Sequence, residues 1–228
     1  MVSRYFLSQA NAELYHQIRH FFICCERLLT VSNRGIFKMN SLILQTELKS
    51  GENRMSKILP SLPGRCYTVI ENRFIAGGYP YNPGTDEPFA VLQALIARQI
   101  YSFIDLTEED ELTHYQKIIT EITDKTIYYS RFAIMDYSIP TNKEMESIVS
   151  YINKNLTEDR NIYLHCRGGI GRTGTVVACW LKSQGMSGKE ALARLAELFS
   201  HSNAANFCRS PECEEQIRFV MDYCPTAF

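Results

Sequence analysis

No uncharged apolar run in the chain reaches 18 residues, so nothing in it predicts a membrane-spanning helix. Net charge is also scarce: 228 residues carry a formal charge of -1 at pH 7. That near-neutrality removes the basic footprint expected of a nucleic-acid binder or a protein held on an anionic membrane. Any anionic ligand must then be met by a local arrangement of donors. After Arg4 the segment "YFLSQANAELYHQIR" offers no continuous apolar core, so no secretory signal is expected. The eight cysteines have no regular spacing, which argues against a disulfide framework and for free thiols in a reducing cytoplasm. Their only close pairs are Cys24–Cys25 and Cys208–Cys213, and no histidine completes a zinc-ligand spacing, so no metal site is expected. Internal repeats and low-complexity tracts are missing too.

What is present divides into two parts. Residues 1–56 read as an N-terminal extension, partly helical and peripheral. Leu14, Ile18, Phe21, Phe22, Cys25, Leu28 and Leu29 recur at helical spacing, and "SNRG" at 32–35 would end that helix. This part is mildly basic. A self-contained domain is expected over residues 57–228, where strands and helices alternate. "RFIAGG", "YSFIDL", "IYYSRFAI" and "NIYLHC" read as short buried strands, rich in β-branched and aromatic residues. "TNKEMESIVSYINKN" and "SGKEALARLAELF" each open with a capping box, Thr141 with Glu144 and Ser187 with Glu190. "SPECEEQIRFVMDYC" predicts a further helix with Ser210 as N-cap and Pro211 at its first position. Alternation of this kind implies an α/β fold, a mostly parallel central sheet flanked by helices.

One turn between strand and helix concentrates unusual residues: "IYLHCRGGIGRTGTV", residues 162–176. Glycines let successive backbone N–H groups point at one oxyanion, and the helix start adds its positive dipole end. The loop lacks Gly-Lys-Ser/Thr, which excludes a Walker-type nucleotide site. Its first position is instead Cys166, in a setting of N–H donors and a guanidinium that favours the nucleophilic thiolate. Arg172 supplies a planar fork able to grip two phosphoryl oxygens. Nucleophile, cradle and clamp together describe phosphoryl transfer through a cysteinyl-phosphate. A merely apolar cysteine at a strand end would leave Arg172 and the glycines unexplained.

"HCRGGIGRT", His165 to Thr173, resembles the H-C-x-x-G-x-G-R-T/S signature of the protein tyrosine phosphatase superfamily, and residues 60–228 are similar to its dual-specificity-like branch. The resemblance implies Cys166 as nucleophile and Arg172 as phosphate ligand. It implies that Arg167, Gly168, Gly169, Ile170 and Gly171 complete the phosphate cradle and that His165 orients the loop. Thr173 would hydrogen-bond the thiolate and assist breakdown of the phosphoenzyme. The same resemblance implies no metal or organic cofactor.

Such an enzyme needs an acid to protonate its leaving group. Parallel strands bring their C-terminal ends to one edge, where Asp136 and Asp105 both qualify. Asp159 precedes the nucleophile strand, on the order of 20 Å away at ~3.3 Å per residue. "DYSIP", Asp136 to Pro140, resembles the family's D-x-x-x-P acid loop, which favours Asp136. The acidic run "EEDE" at 108–111 reads as a solvated helix start. Gln216 fits either a water-positioning role known in related small phosphatases or a plain surface helix.

The phosphotyrosine-clamping loop of K-N-R-Y type has no counterpart beyond "ENRF" at 71–74, a turn into a strand. The expected substrate is therefore a phosphorylated protein, at tyrosine and also at serine or threonine, acted on by a cytoplasmic monomer. The alternatives are a phosphoinositide or other small-molecule phosphatase on the same fold, a non-catalytic phosphate-binding module, and a sulfur-transfer or arsenate-reducing enzyme with a similar cradle.

Overall fold

A computed structural model of the protein describes residues 62–226. The helix expected over 14–29 and the boundary near residue 56 lie outside them. Strands β1 (Tyr67–Ile70) and β2 (Phe74–Gly77) form an antiparallel pair around the "ENR" turn, where Asn72 takes φ 56°. Helix α1 (Ala90–Ala97) leads into β3 (Ile100–Asp105), and α2 (Gln116–Ile122) precedes β4 (Tyr128–Arg131). Then follow α3 (Asn142–Thr157), β5 (Asn161–His165), α4 (Gly171–Ser183), α5 (Gly188–Phe199) and α6 (Glu214–Asp222). The strands lie in the order β1-β2-β5-β3-β4, and all but β1 run parallel to their neighbours. This is the expected mostly parallel α/β sheet, with "YTVI" added as an antiparallel edge. No helix among the described residues is long and apolar enough to cross a membrane.

Alternation along the strands sorts side chains onto two faces. Phe74, Ala76, Ile104, Ile162 and Leu164 join the main core with Met145, Ile148, Val149 and Ile152 of α3 and the buried length of α4. Each of the Phe, Ile, Leu, Val and Met side chains among them is worth roughly 1.5–3 kcal/mol when fully removed from water. Trp180 sets its ring edge-on to Phe74 at 5.3 Å, and its Nε1 donates to Asn153 Oδ1 at 2.9 Å, so the indole is buried with its polar atom satisfied. Both capping boxes form: Thr141 N donates to Glu144 Oε2 at 2.7 Å and Ser187 N to Glu190 Oε2 at 2.8 Å.

Two expectations are corrected. Ser210 does not cap α6: its hydroxyl donates to Ile170 O at 2.7 Å, so it is spent on the glycine-rich loop, and Cys213 becomes the N-cap. "EEDE" is not a helix start but a turn, and α2 begins only at Gln116.

Register decides where function can sit. Gly77 and Asp105 both stand opposite His165, and Asp105 stands opposite Arg131. The ends of four parallel strands are thus in line. Beyond Arg131 the chain stays stitched to that edge, with Phe132 N donating to Asp105 O at 2.8 Å and Ile134 N to Leu106 O at 3.1 Å. Those two bonds deliver Asp136 to the mouth of the β5–α4 loop.

Candidate active site

Cys166 follows β5 directly and is only 3% exposed. The loop from Arg167 to Ile170 turns the chain into α4, whose first residues are Gly171, Arg172 and Thr173. Gly169 N donates to Cys166 Sγ at 3.3 Å, the N–H-to-sulfur contact expected of an anion cradle. That turn requires glycine at 169: its φ is +75°, and a Cβ there would lie 2.4 Å from the backbone of Gly77 and Gly78. Tyr79 N donates to Arg167 O at 3.1 Å, so the end of β2 holds the loop from outside.

Behind Cys166 lies a buried polar network. His165 Nδ1 is 3.4 Å from Cys166 O, and its Nε2 is 2.5 Å from the Tyr115 hydroxyl. Burial pushes the His165 pKa below its ordinary value, against the opposing pull of Asp105. Asp105 accepts from Thr107 N at 2.8 Å, Thr107 Oγ1 at 2.7 Å and Tyr129 OH at 2.6 Å, and Arg131 Nη2 is 3.3 Å away. Burial alone would raise its pKa. The His165 ring and the donors from Tyr129 and Thr107 outweigh it and hold the carboxyl below the ordinary range. Asp105 therefore sits on the correct edge but is buried, ionised and fully committed.

Arg172 is the best-connected side chain of the site. Nη1 donates to Glu111 Oε2 at 2.7 Å and to Ile134 O at 2.9 Å. Nη2 donates to Glu111 Oε1 at 2.7 Å and pairs with Asp136 Oδ1 at 2.8 Å. Of the five guanidinium N–H groups, only the buried Nε has no partner. The two carboxylates differ. Glu111 is 11% exposed and makes a fork-to-fork pair, and those Arg172 bonds hold its carboxyl below the usual carboxylate range. Asp136 is 43% exposed and shares a single oxygen, which also accepts from Tyr137 N at 3.1 Å.

Cys166, Arg167 to Gly171, Arg172, Asp136 and His165 are thus brought to one edge, as the sequence pattern implies. Thr173 is there as well, but its hydroxyl donates to Gly77 O at 3.3 Å, so in this structure it serves the end of β2. Asp159 lies at the opposite end of β5, paired with Arg73. Glu111 is the residue that sequence reasoning missed. The available signal was its place in "DLTEEDE", just past the C-terminal end of β3, on the edge where the cysteine loop had to be. Gln216 is fully buried, not on the surface. Its Oε1 accepts from Glu212 N at 3.1 Å, its Nε2 donates to Ser138 O at 3.3 Å, and a Cβ on Gly171 would touch it.

Residues 82–186 match the family model described as a polymorphic toxin system DSP-PTPase phosphatase. That segment, 105 of the 228 residues, is similar to phosphatases of the dual-specificity, protein tyrosine phosphatase type. A protein of Invertebrate iridescent virus 3 named as a tyrosine phosphatase, 067L, is 30% identical over 68% of this chain and 63% of its own length. An Arabidopsis thaliana protein named phosphatidylinositol 3,4,5-trisphosphate 3-phosphatase and protein-tyrosine-phosphatase is 32% identical over 54% of this chain and 31% of its own. Among solved structures, Tk-PTP in its active form has the same fold, with a TM-score of 0.54 and 23% identity over 70% of this chain and 95% of that one. The chain spans 51–63% of the length of three curated relatives that it matches.

Proposed function

We propose that the protein hydrolyses phosphate monoesters through a cysteinyl-phosphate, with protein phosphotyrosine as its first substrate and phosphoserine or phosphothreonine as further ones. The observation that carries this reading is the convergence of Cys166, an N–H-lined loop, Arg172 and Asp136 on one strand edge. In the first step the Cys166 thiolate attacks phosphorus, forming an S–P bond as the P–O bond to the leaving group breaks. Asp136 gives its proton to the departing oxygen. In the second step water attacks the phosphocysteine, Asp136 takes a proton from it, and the S–P bond breaks to release inorganic phosphate and the thiolate.

Four of the five Arg172 N–H groups are occupied, so a two-oxygen grip on phosphate uses Nε and needs Nη2 free. Arriving phosphate takes Nη2 from Asp136, and the same exchange releases Asp136 toward the leaving oxygen. Glu111 stays, keeping the guanidinium plane fixed. Asp105 has no proton to give, which leaves Asp136 as the acid. Met135 and Tyr137, each 63% exposed, flank Asp136 and offer apolar contact to an aryl leaving group, which favours phosphotyrosine. All six cysteines among the described residues are free thiols, in keeping with work in a reducing cytoplasm.

The test is a panel of phosphotyrosine peptide, phosphothreonine peptide and phosphoinositide headgroup, with Cys166→Ser alongside. Turnover led by the phosphotyrosine peptide and abolished in Cys166→Ser is expected. A rate retained in that variant overturns the covalent mechanism, and headgroup-led turnover overturns the substrate.

A further inference from the structure

Asp136 is delivered to the mouth of the site from one side by the end of β3, through the Ile134 N bond to Leu106 O. A different part of the chain holds it from the other side. Met135 to Ser138 close a tight turn, with Ser138 N donating to Met135 O at 3.1 Å and Asp136 and Tyr137 between them. Tyr137 takes φ 59°, a left-handed conformation that an aromatic residue keeps only where its surroundings enforce it. The next two carbonyls after Asp136 face the start of α6. The Cys213 thiol lies 3.8 Å from Tyr137 O, and Gln216 Nε2 donates to Ser138 O at 3.3 Å.

Gln216 is fully buried in this contact. Its Oε1 accepts from Glu212 N at 3.1 Å and Cys213 N at 3.4 Å, so both lone pairs are used at the start of its own helix. The same amide lies against the first residue of α4: a Cβ on Gly171 would stand 2.9 Å from Nε2 and 3.0 Å from Oε1. Gly171 directly precedes Arg172, and Ser138 follows Asp136 by two positions. One planar group thus spans the gap between the acid turn and the loop that carries Arg172. Its oxygen is saturated and enclosed, with no lone pair left to take a proton from an attacking water.

We propose that Gln216 is a positioning residue for the general acid: it ties the Asp136 turn to the phosphate loop and sets the reach of the Asp136 carboxyl to the leaving oxygen. The proposal rests on the phosphatase reading above. The contact of Asp136 with Arg172 is single and half-open, too weak to hold the turn by itself. Without the Ser138 bond the turn is released, Tyr137 relaxes from its left-handed conformation, and Asp136 swings out of line.

The experiment compares the full chain with Gln216→Leu, Asp136→Asn and the double variant on nitrophenyl phosphate and on an alkyl phosphate, reading kcat/KM and the pre-steady-state burst. Gln216→Leu should lose about 10-fold or more on the alkyl phosphate, whose leaving oxygen needs the proton, and no more than about 3-fold on nitrophenyl phosphate. Added to Asp136→Asn it should cost less than about 2-fold on either, because its effect runs through an acid already removed. Gln216→Glu keeps the acceptor and, once protonated, offers an O–H to Ser138 O, so its alkyl phosphate rate relative to wild type should recover in acid. No loss in Gln216→Leu, an equal loss on both substrates, or a loss repeated in full on Asp136→Asn would overturn the proposal. A larger nitrophenol burst with accumulating phosphocysteine and unchanged kcat/KM would overturn it in favour of water positioning. If Gln216→Leu does not fold, Gln216→Glu decides alone, and absence of its recovery in acid overturns the proposal. A wild-type chain that fails to hydrolyse nitrophenyl phosphate would instead remove the phosphatase reading, and this proposal with it.

Discussion

Glu111 and Asp136 both hold Arg172, and they do so in opposite ways. Glu111 is nearly enclosed and uses both oxygens, while Asp136 is half-open and uses one. A bidentate, desolvated pair fixes the orientation of a guanidinium, and a single exposed contact is weak enough to be exchanged for phosphate. In the reaction proposed here, the difference separates a carboxylate that builds the site from one that works in it. On that proposal a site with two carboxylates at its mouth binds an anion because one is neutralised permanently and the other leaves when the substrate arrives.

The largest effect should come from removing what the two share. Each donor to a transition-state oxygen is worth about 10²–10³-fold, so Arg172→Lys, which loses the fork, should lower kcat/KM by at least ~10⁴-fold on every substrate. Next, Asp136→Asn should cost about 10²–10⁴-fold on alkyl phosphates and far less on nitrophenyl phosphate, whose leaving group needs little protonation. Its rate profile should lose the alkaline limb and keep the acidic one. Persistence of the alkaline limb in Asp136→Asn, with its loss in Asp105→Asn, would reverse the assignment.

Glu111→Gln should separate the two roles. Its loss, about 10-fold by the reasoning that a misaimed donor keeps part of its effect, should be the same for good and poor leaving groups. It should also lower stability by about 1–3 kcal/mol at neutral pH. The folded-state pKa of Glu111 is depressed by Arg172, so its contribution is present above about pH 4.3, the ordinary glutamate value, and is lost as pH falls through the lower folded value. Denaturant unfolding of wild type and Glu111→Gln should accordingly converge in acid. A leaving-group dependence in Glu111→Gln like that of Asp136→Asn would erase the distinction.

The smallest expected effect lies behind the loop. Tyr115→Phe removes one bond to His165 and should cost about 1 kcal/mol of stability with a few-fold loss of rate. His165 is held below its ordinary pKa by burial, so its unfolded form takes up a proton first. Stability should decline as pH falls below about 6.5.

Much of this was legible locally. The nine residues "HCRGGIGRT", the capping boxes of α3 and α5 and three of the four expected buried strands are short-range patterns that form where expected, whereas "IYYSRFAI" gives β4, a partly exposed strand at the sheet edge. What escaped was set by distant partners. Ser210 has every mark of an N-cap, yet its hydroxyl is taken by Ile170, forty positions earlier. Glu111 sits among acids that look solvated, and only the pairing of β3 with β5 brings it to Arg172, sixty-one positions away. Gln216 looks like a surface residue until the acid loop folds over it. Side-chain chemistry was readable, but the competition for each donor was not.

The central claim is that Cys166 carries the phosphoryl group. Acid quenching within a single turnover of nitrophenyl phosphate, followed by peptide mass spectrometry, tests it directly. The account predicts one phosphate per chain on the peptide containing Cys166, and none in Cys166→Ser. Phosphate release with no phosphorylated Cys166 at any quench time, or label on another residue, would contradict it.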